Sequence, residues 1–150
     1  SQNRLAHNRL AQNRLAQDRL ARTRDTLARL VAFDTTSRTS NLALIEWAEA
    51  ELAPTGAMLT RLPNADGTKA NLWARFGPDA PGGIVLSGHT DVVPVDGQPW
   101  TSDPWTLSER DGRLYGRGTC DMKGFIALCL AHADELARRC RLRPVHLALS

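Results

Sequence analysis

The 150-residue sequence lacks any apolar run long enough to span a membrane, and it shows no signal-peptide core. Its three cysteines are odd in number and lack the spacing of a metal-binding motif, which is typical of a protein from a reducing compartment. These absences predict a cytoplasmic protein without a membrane partner. Hydrophobic residues make up 42% of the chain, so the composition permits one globular domain with a real core.

A five-residue repeat of the type Gln-Asn-Arg-Leu-Ala occupies residues 2–21. Its leucines step about 140° around a helix from one repeat to the next, so they form no apolar stripe. Five arginines and one aspartate give residues 1–22 a net charge of +4, which leaves about −1 for residues 23–150. We predict a poorly ordered extension at 1–22 and a domain at 23–150. Nucleic-acid binding ranks last among the functions considered, because the repeat lacks aromatic residues and the domain is nearly neutral.

Hydrophobic periodicity predicts alternating helices and strands across residues 23–150, which is an α/β pattern. The apolar run at 84–86 predicts a short buried strand, and Asp111-Gly112 predicts a hairpin turn. Either Ser40 or Asn41 can cap the helix that follows them. The predicted helices cover residues 23–33, 42–52 and 125–139, and the other predicted strands cover residues 58–62, 70–76 and 145–149.

Two motifs contain the candidate site residues, Gly88-His89-Thr90-Asp91-Val92-Val93-Pro94 and Gly116-Arg117-Gly118-Thr119-Cys120-Asp121-Met122-Lys123-Gly124. The first follows a predicted strand, so His89 lies at its carboxyl end, where open α/β sheets bind ligands. Asp91 shares a face with His89 in extended chain and can hold one imidazole nitrogen while the other binds a metal ion. Asp121 offers a second carboxylate. Taken singly, a histidine after a strand is more often structural than a ligand, and His132 and His146 are interpreted as structural.

Longer segments around these motifs resemble the M20 family of metal-dependent amidohydrolases and peptidases. The likeness extends over about residues 23–150. It implies an α/β three-layer sandwich with a mixed sheet, the N-terminal part of a zinc-peptidase-like catalytic domain, with the lid and dimerisation domain absent. The chain starts without a methionine and stops within the pattern, so we expect a partial sequence. The likeness depends on residues 33–38, 40–46, 67–72, 86–94, 95–98 and 115–124.

The resemblance also implies a role for each candidate residue. His89 resembles a ligand of one metal ion, and Asp121 resembles the carboxylate that bridges two ions, usually zinc, with cobalt possible. Asp91 resembles the catalytic acid that orients His89, and a cis peptide bond is implied between Asp121 and Met122. The family's general base is a glutamate that follows the strand matching residues 145–149. Since this glutamate and further metal ligands are absent, the 150-residue chain alone is predicted to be inactive.

Within the family, the chain most resembles the branch that hydrolyses N-acetyl-L-ornithine to L-ornithine and acetate in arginine biosynthesis. The implied partner is a small N-acylated amino acid, and the complete enzyme is implied to be a homodimer. Succinyl-diaminopimelate desuccinylase activity and carboxypeptidase activity are the alternatives within the family. An alternative of another class is an inactive remnant that assembles with other chains through an unpaired sheet edge.

Overall fold

The computed structural model describes residues 2–150, and it describes side chains from residue 9 onwards. None of the helices in this part of the chain is both long and apolar enough to cross a membrane. The described residues form four α-helices, α1 (Gln2–Val31), α2 (Leu42–Leu52), α3 (Gly124–Ala131) and α4 (Ala133–Arg139), and six strands, β1 (Met58–Pro63), β2 (Ala70–Phe76), β3 (Ile84–Gly88), β4 (Ser108–Arg110), β5 (Arg113–Tyr115) and β6 (Val145–Leu149).

Four of the strands form a mixed sheet in the order β1-β2-β6-β3. β2 is antiparallel to both β1 and β6, whereas β6 is parallel to β3, and the chain between β3 and β6 contains α3 and α4. β4 and β5 form a separate hairpin, in which Asp111 and Gly112 have φ angles of 52° and 70°. Two-residue hairpin turns require such left-handed angles. The structure therefore confirms the α/β class, the mixed sheet and the predicted hairpin.

The hydrophobic core lies between the helices and one face of the sheet. Along β2, Leu72, Ala74 and Phe76 are buried, while Trp73 and Arg75 between them are half-buried. The helices contribute their fully buried side chains to the same core: Leu30, Val31, Leu44, Ile45, Ala48, Leu52, Ile126 and Ala127. Helices and sheet therefore pack around one shared core.

Helix α1 combines the repeat with the first helix predicted for the domain, and it runs without a break across the predicted boundary between residues 22 and 23. Leu10, Leu15 and Leu20 are 69%, 56% and 72% exposed, as expected of leucines that form no stripe. Leu5 lies outside the residues whose side chains are described. The predicted poor order of the repeat stays a prediction.

A strand forms at residues 84–86 as predicted, but the prediction that it is buried is wrong, since its first two residues are exposed and Leu86 is half-buried. Ile84 is 60% exposed and Val85 is 52% exposed, because β3 lies at an edge of the sheet. An edge strand has a neighbour on one side only, and strand order cannot be read from an apolar run.

Two helix boundaries also differ from the predictions. The helix predicted over 125–139 is divided at His132, whose backbone leaves helical angles and whose Nδ1–H donates to the Leu128 carbonyl oxygen at 2.9 Å. Asn41 precedes α2 but makes no side-chain cap to it, because its amide reaches Ala70 and Thr90 instead. The amide of Leu42 donates to the Ser40 hydroxyl oxygen at 3.2 Å.

Candidate metal centre

The candidate centre lies at the carboxyl end of β3, next to the carboxyl end of β6. These two strands are parallel, so both end at the same edge of the sheet. The ladder continues beyond them, since the Thr90 amide donates to the Ser150 carbonyl oxygen at 2.6 Å and the Ser150 amide donates to the Gly88 carbonyl oxygen at 3.1 Å. The strand pairing therefore fixes the backbone on which His89 stands, at the position predicted from the sequence.

His89 lies between two carboxylates. Its Nδ1 is 3.1 Å from Asp91 Oδ1 and 3.0 Å from the Asp91 carbonyl oxygen, and both of these atoms are acceptors. On the other side of the ring, Nε2 is 2.9 Å from Asp121 Oδ1. The structure thus brings together the three residues predicted as a site. The pair His89 and Asp91 is local in sequence, whereas Asp121 comes from a turn 32 residues further on.

Asp121 lies in the tight turn Thr119–Lys123, directly before α3. A Cβ added to Gly118, which has φ of +82°, would lie 2.7 Å from Val92 Cγ1, and a Cβ on Gly124 would lie 2.4 Å from the Thr119 carbonyl oxygen. Glycine at 118 therefore lets the turn approach the loop after β3, and glycine at 124 lets the turn close on itself before α3. The peptide bond between Asp121 and Met122 is cis, as the resemblance implied.

The electrostatics of the centre follow from these contacts. Burial lowers the pKa of His89, but the hydrogen bond with Asp121 and the acceptors of Asp91 outweigh it, so the pKa of His89 lies above its ordinary value. The pKa of Asp91 lies below its ordinary value, first because of the Ser37 hydroxyl and then, against partial burial, because of His89. Asp91 is therefore a carboxylate at neutral pH and can keep the proton of His89 on Nδ1.

A divalent metal ion fits the donor atoms that converge here. His89 Nε2 and Asp121 Oδ1 are both atom types that bind zinc, and Asp121 is 85% exposed, which leaves its second oxygen open to a further ion. Asp91 holds the opposite nitrogen of His89, as acceptors commonly do for metal-binding histidines. Among the described residues, however, no cluster of three or more His, Cys, Asp or Glu side chains could hold an ion. The described residues thus supply part of a ligand set.

Two residues of the site region were missed by sequence reasoning. The hydroxyl of Ser37 donates to Asp91 Oδ2, across 54 residues of sequence. Lys123 is fully buried, and its Nζ donates to the Phe33 carbonyl oxygen at 2.7 Å. Burial lowers the pKa of Lys123 to about 8. Both residues lie within segments that carry the family resemblance, but nothing in their local sequence indicates these partners.

Known proteins match this chain at the level of sequence. Residues 85–150 match the sequence model of peptidase family M20/M25/M40. The acetylornithine deacetylase of Myxococcus xanthus is 48% identical over 115 residues, which is 73% of this chain and 30% of that protein. The acetylornithine deacetylase of Edwardsiella ictaluri is 58% identical over 79 residues, which is 53% of this chain and 20% of that protein. The chain therefore spans 30% or less of the length of these curated relatives.

Solved structures share the fold. Human carnosine dipeptidase 1 superposes with a TM-score of 0.71 at 26% identity, covering 85% of this chain and 31% of that one. An M20 family metallo-carboxypeptidase from Sulfolobus solfataricus superposes with a TM-score of 0.66 at 25% identity, covering 83% of this chain and 29% of that one. The match of residues 85–150 to the family model, the curated relatives and the shared fold together make this chain similar to members of peptidase family M20/M25/M40.

Proposed function

We propose that this chain supplies His89 and Asp121 to the metal centre of a hydrolase that cleaves the amide bond of an N-acylated amino acid. The observation that supports this most directly is the 2.9 Å approach of His89 Nε2 to Asp121 Oδ1, with Nδ1 of the same ring held by Asp91. Zinc is the proposed ion, and the second carboxylate oxygen of Asp121 would be available to a second zinc ion. When bound, such ions lower the pKa of a water molecule and polarise a carbonyl group.

The proposed substrate is N-acetyl-L-ornithine, with L-ornithine and acetate as products, which would serve arginine biosynthesis. The support is the 48% to 58% identity with relatives named acetylornithine deacetylase. The alternatives within the family are hydrolysis of succinyl-diaminopimelate and hydrolysis of peptides. Rates measured on a panel of N-acylated amino acids and dipeptides would distinguish these activities from the proposed one. The complete enzyme is also proposed to be a homodimer, which sedimentation would test.

Each side chain of the proposed centre has a separate task. Asp91 holds the proton of His89 on Nδ1, so that the Nε2 lone pair is free to bind an ion. Asp121 contributes negative charge from a position that is mostly exposed. In the described residues, Asp91 and Asp121 are the carboxylates that contact the His89 side chain, and both are already used to orient His89 or to bind an ion. A further group must therefore accept the proton of the attacking water, and this chain alone is proposed to be inactive.

A chimeric enzyme tests the proposal. This chain replaces the matching segment of the Myxococcus xanthus acetylornithine deacetylase, and acetate release from N-acetyl-L-ornithine is measured with and without a chelator. We expect metal-dependent hydrolysis that His89→Ala and Asp121→Ala abolish, and that Asp91→Asn lowers by about 10- to 100-fold. Asp25→Asn, at an exposed position of α1, is the matched control and should retain activity.

Two results would contradict the proposal. A folded chimera that hydrolyses none of the acylated amino acids would remove the proposed substrate class. Metal-dependent hydrolysis by the 150-residue chain itself would show that the catalytic groups are already complete, against the prediction that it is inactive.

The alternative of a non-catalytic assembly partner is favoured by one observation. β3 is an edge strand, and its residues Ile84 and Val85 are mostly exposed. Unpaired edges of this kind can add a strand from another chain. Concentration-dependent self-association that Val85→Lys reverses, together with an inactive chimera, would support this alternative.

A further inference from the structure

The segment of residues 33–37, which joins the end of α1 to the turn before α2, contacts both of the loops that contain the proposed metal ligands. We infer that this 33–37 segment is a clamp that sets the position of His89 relative to Asp121, and that Ser37 is its positioning residue. The inference rests on the proposed metal centre. Its basis is a set of hydrogen bonds that connect residues far apart in sequence.

On one side, the segment pairs with the loop that follows β3. Thr36 and Val92 form a parallel bridge, in which the Ser37 amide donates to the Val92 carbonyl oxygen at 3.0 Å and the Val92 amide donates to the Thr35 carbonyl oxygen at 3.0 Å. The Thr35 hydroxyl, which is buried, donates to the Thr90 carbonyl oxygen at 2.6 Å. The backbone on both sides of Asp91 is therefore held by this segment.

The side chain of Asp91 is held as well. Its Oδ2 accepts the Ser37 hydroxyl, while its Oδ1 lies 3.1 Å from His89 Nδ1. One oxygen of the Asp91 carboxylate therefore contacts Ser37 and the other contacts His89. The Ser37 hydroxyl restricts rotation of this carboxylate, which orients the imidazole. Because the Asp91 side chain is 46% exposed, packing alone would leave it free to rotate.

On the other side, the segment holds the turn that contains Asp121. Lys123 reaches the Phe33 carbonyl oxygen at 2.7 Å, just beyond the carboxyl end of α1, where a cation is favourable. The Lys123 ammonium also lies 5.8 Å from the centre of the Trp105 ring. Since Lys123 is two residues from Asp121, this contact limits how far the turn can move from the segment.

The segment itself is stiffened by local hydrogen bonds. One carboxylate oxygen of Asp34 accepts the Thr36 amide at 3.0 Å and the Thr36 hydroxyl at 2.6 Å. The Thr39 hydroxyl donates to the Thr36 carbonyl oxygen at 2.8 Å. A segment fixed in this way can transmit position from one ligand loop to the other, which matters because functional groups must be held to within about 0.5 Å of their working geometry.

The test uses the whole 150-residue chain and zinc as the probe. Ser37→Ala removes the hydroxyl, Ser37→Thr keeps it, and Ser87→Ala is the matched control at an exposed position of β3, the strand that leads to His89. Zinc affinity is measured by calorimetry. The tautomer of His89 is measured without metal by nitrogen-15 NMR, at a pH where the ring is neutral. The chain has only four histidines, so His89→Gln assigns the signal.

We expect Ser37→Ala to weaken zinc binding by about tenfold, the lower end of the range for groups that orient metal-binding histidines. It should also raise the share of the Nε2–H tautomer of His89, because the restraint on Asp91 is lost. Ser37→Thr and Ser87→Ala should behave like the wild type in both measurements, and the thermal midpoint should be the same for all four proteins. A purely structural role would lower the midpoint without changing the tautomer.

The inference is overturned if Ser37→Ala leaves both the zinc affinity and the tautomer unchanged, or if Ser37→Thr fails to restore them. A wild-type chain that binds no zinc through His89 would be explained by its partial ligand set, and the chimera described above tests the proposed function separately. In that case the tautomer measurement, which needs no metal, still decides whether Ser37 orients His89 through Asp91.

Discussion

Replacing Asn41 by alanine should destabilise the fold strongly, because its side-chain amide joins β2 to the loop that follows β3, two segments that are distant in sequence. Asn41 is 7% exposed. Its Nδ2 donates to the Ala70 carbonyl oxygen at 2.8 Å and to Thr90 Oγ1 at 3.0 Å, and its Oδ1 accepts the Ala70 amide at 3.0 Å. The amide thereby connects the start of β2 to the residue next to His89.

The magnitude follows from these three hydrogen bonds. Alanine leaves the amide and the carbonyl group of Ala70 without these partners at a site that is 2% exposed. At about 1 kcal/mol for each bond, the expected loss in the free energy of unfolding is about 3 kcal/mol. For a domain of this size, that loss corresponds to a fall of about 6–12 °C in the midpoint of thermal unfolding.

The assay is urea and thermal unfolding followed by circular dichroism. Asn71 follows Ala70 in β2 and is exposed, so Asn71→Ala is the matched control. It should change the free energy of unfolding by less than about 0.5 kcal/mol. Asn41→Asp keeps the acceptor for the Ala70 amide but loses the donor, so it should be at least as destabilising as alanine. If Asn41→Ala unfolds like the wild type with an unchanged denaturant slope, the reasoning on this amide is refuted.

Three further predictions concern the core, the pH and the thiols. Leu30→Ala, at a fully buried position, should cost about 2–5 kcal/mol in unfolding free energy, whereas Leu15→Ala, 56% exposed, should cost almost nothing; equal losses in denaturant unfolding would contradict this. Because the pKa of His89 is raised in the folded chain, His89 should stabilise the metal-free chain fully below its unfolded pKa of about 6.5 and lose this effect as the pH rises through the folded value. The difference in unfolding free energy between the wild type and His89→Gln should therefore shrink from acidic to alkaline pH. A difference that is constant with pH would contradict a raised pKa of His89. Alkylation followed by mass spectrometry should modify exposed Cys120 before Cys129, whose thiol is buried with its pKa raised to about 11, and simultaneous labelling would show that α3 opens.

Much of the candidate centre could be read from the sequence because it depends on short-range geometry. His89 and Asp91 share a face because alternate residues do so in extended chain, and they follow an apolar run that forms a strand. The Asp111-Gly112 turn was also local, since two residues with left-handed angles define it. Asp121, by contrast, was a candidate as a carboxylate in a glycine-rich turn, and its role beside His89 came from the family resemblance, because no local pattern links the two residues.

The sequence by itself therefore determined the types and bounds of most elements and the two neighbouring residues of the site. Only the tertiary structure decided which distant groups contact one another around the site. Ser37 donates to Asp91, Lys123 donates to Phe33, and Asn41 donates to Ala70 and Thr90. The tertiary structure also decided that β3 is an edge strand, and hence that Ile84 and Val85 are exposed. The physical reason is that periodicity reports which side of an element is apolar, whereas contacts across tens of residues depend on strand order and register, which are set when the whole chain packs.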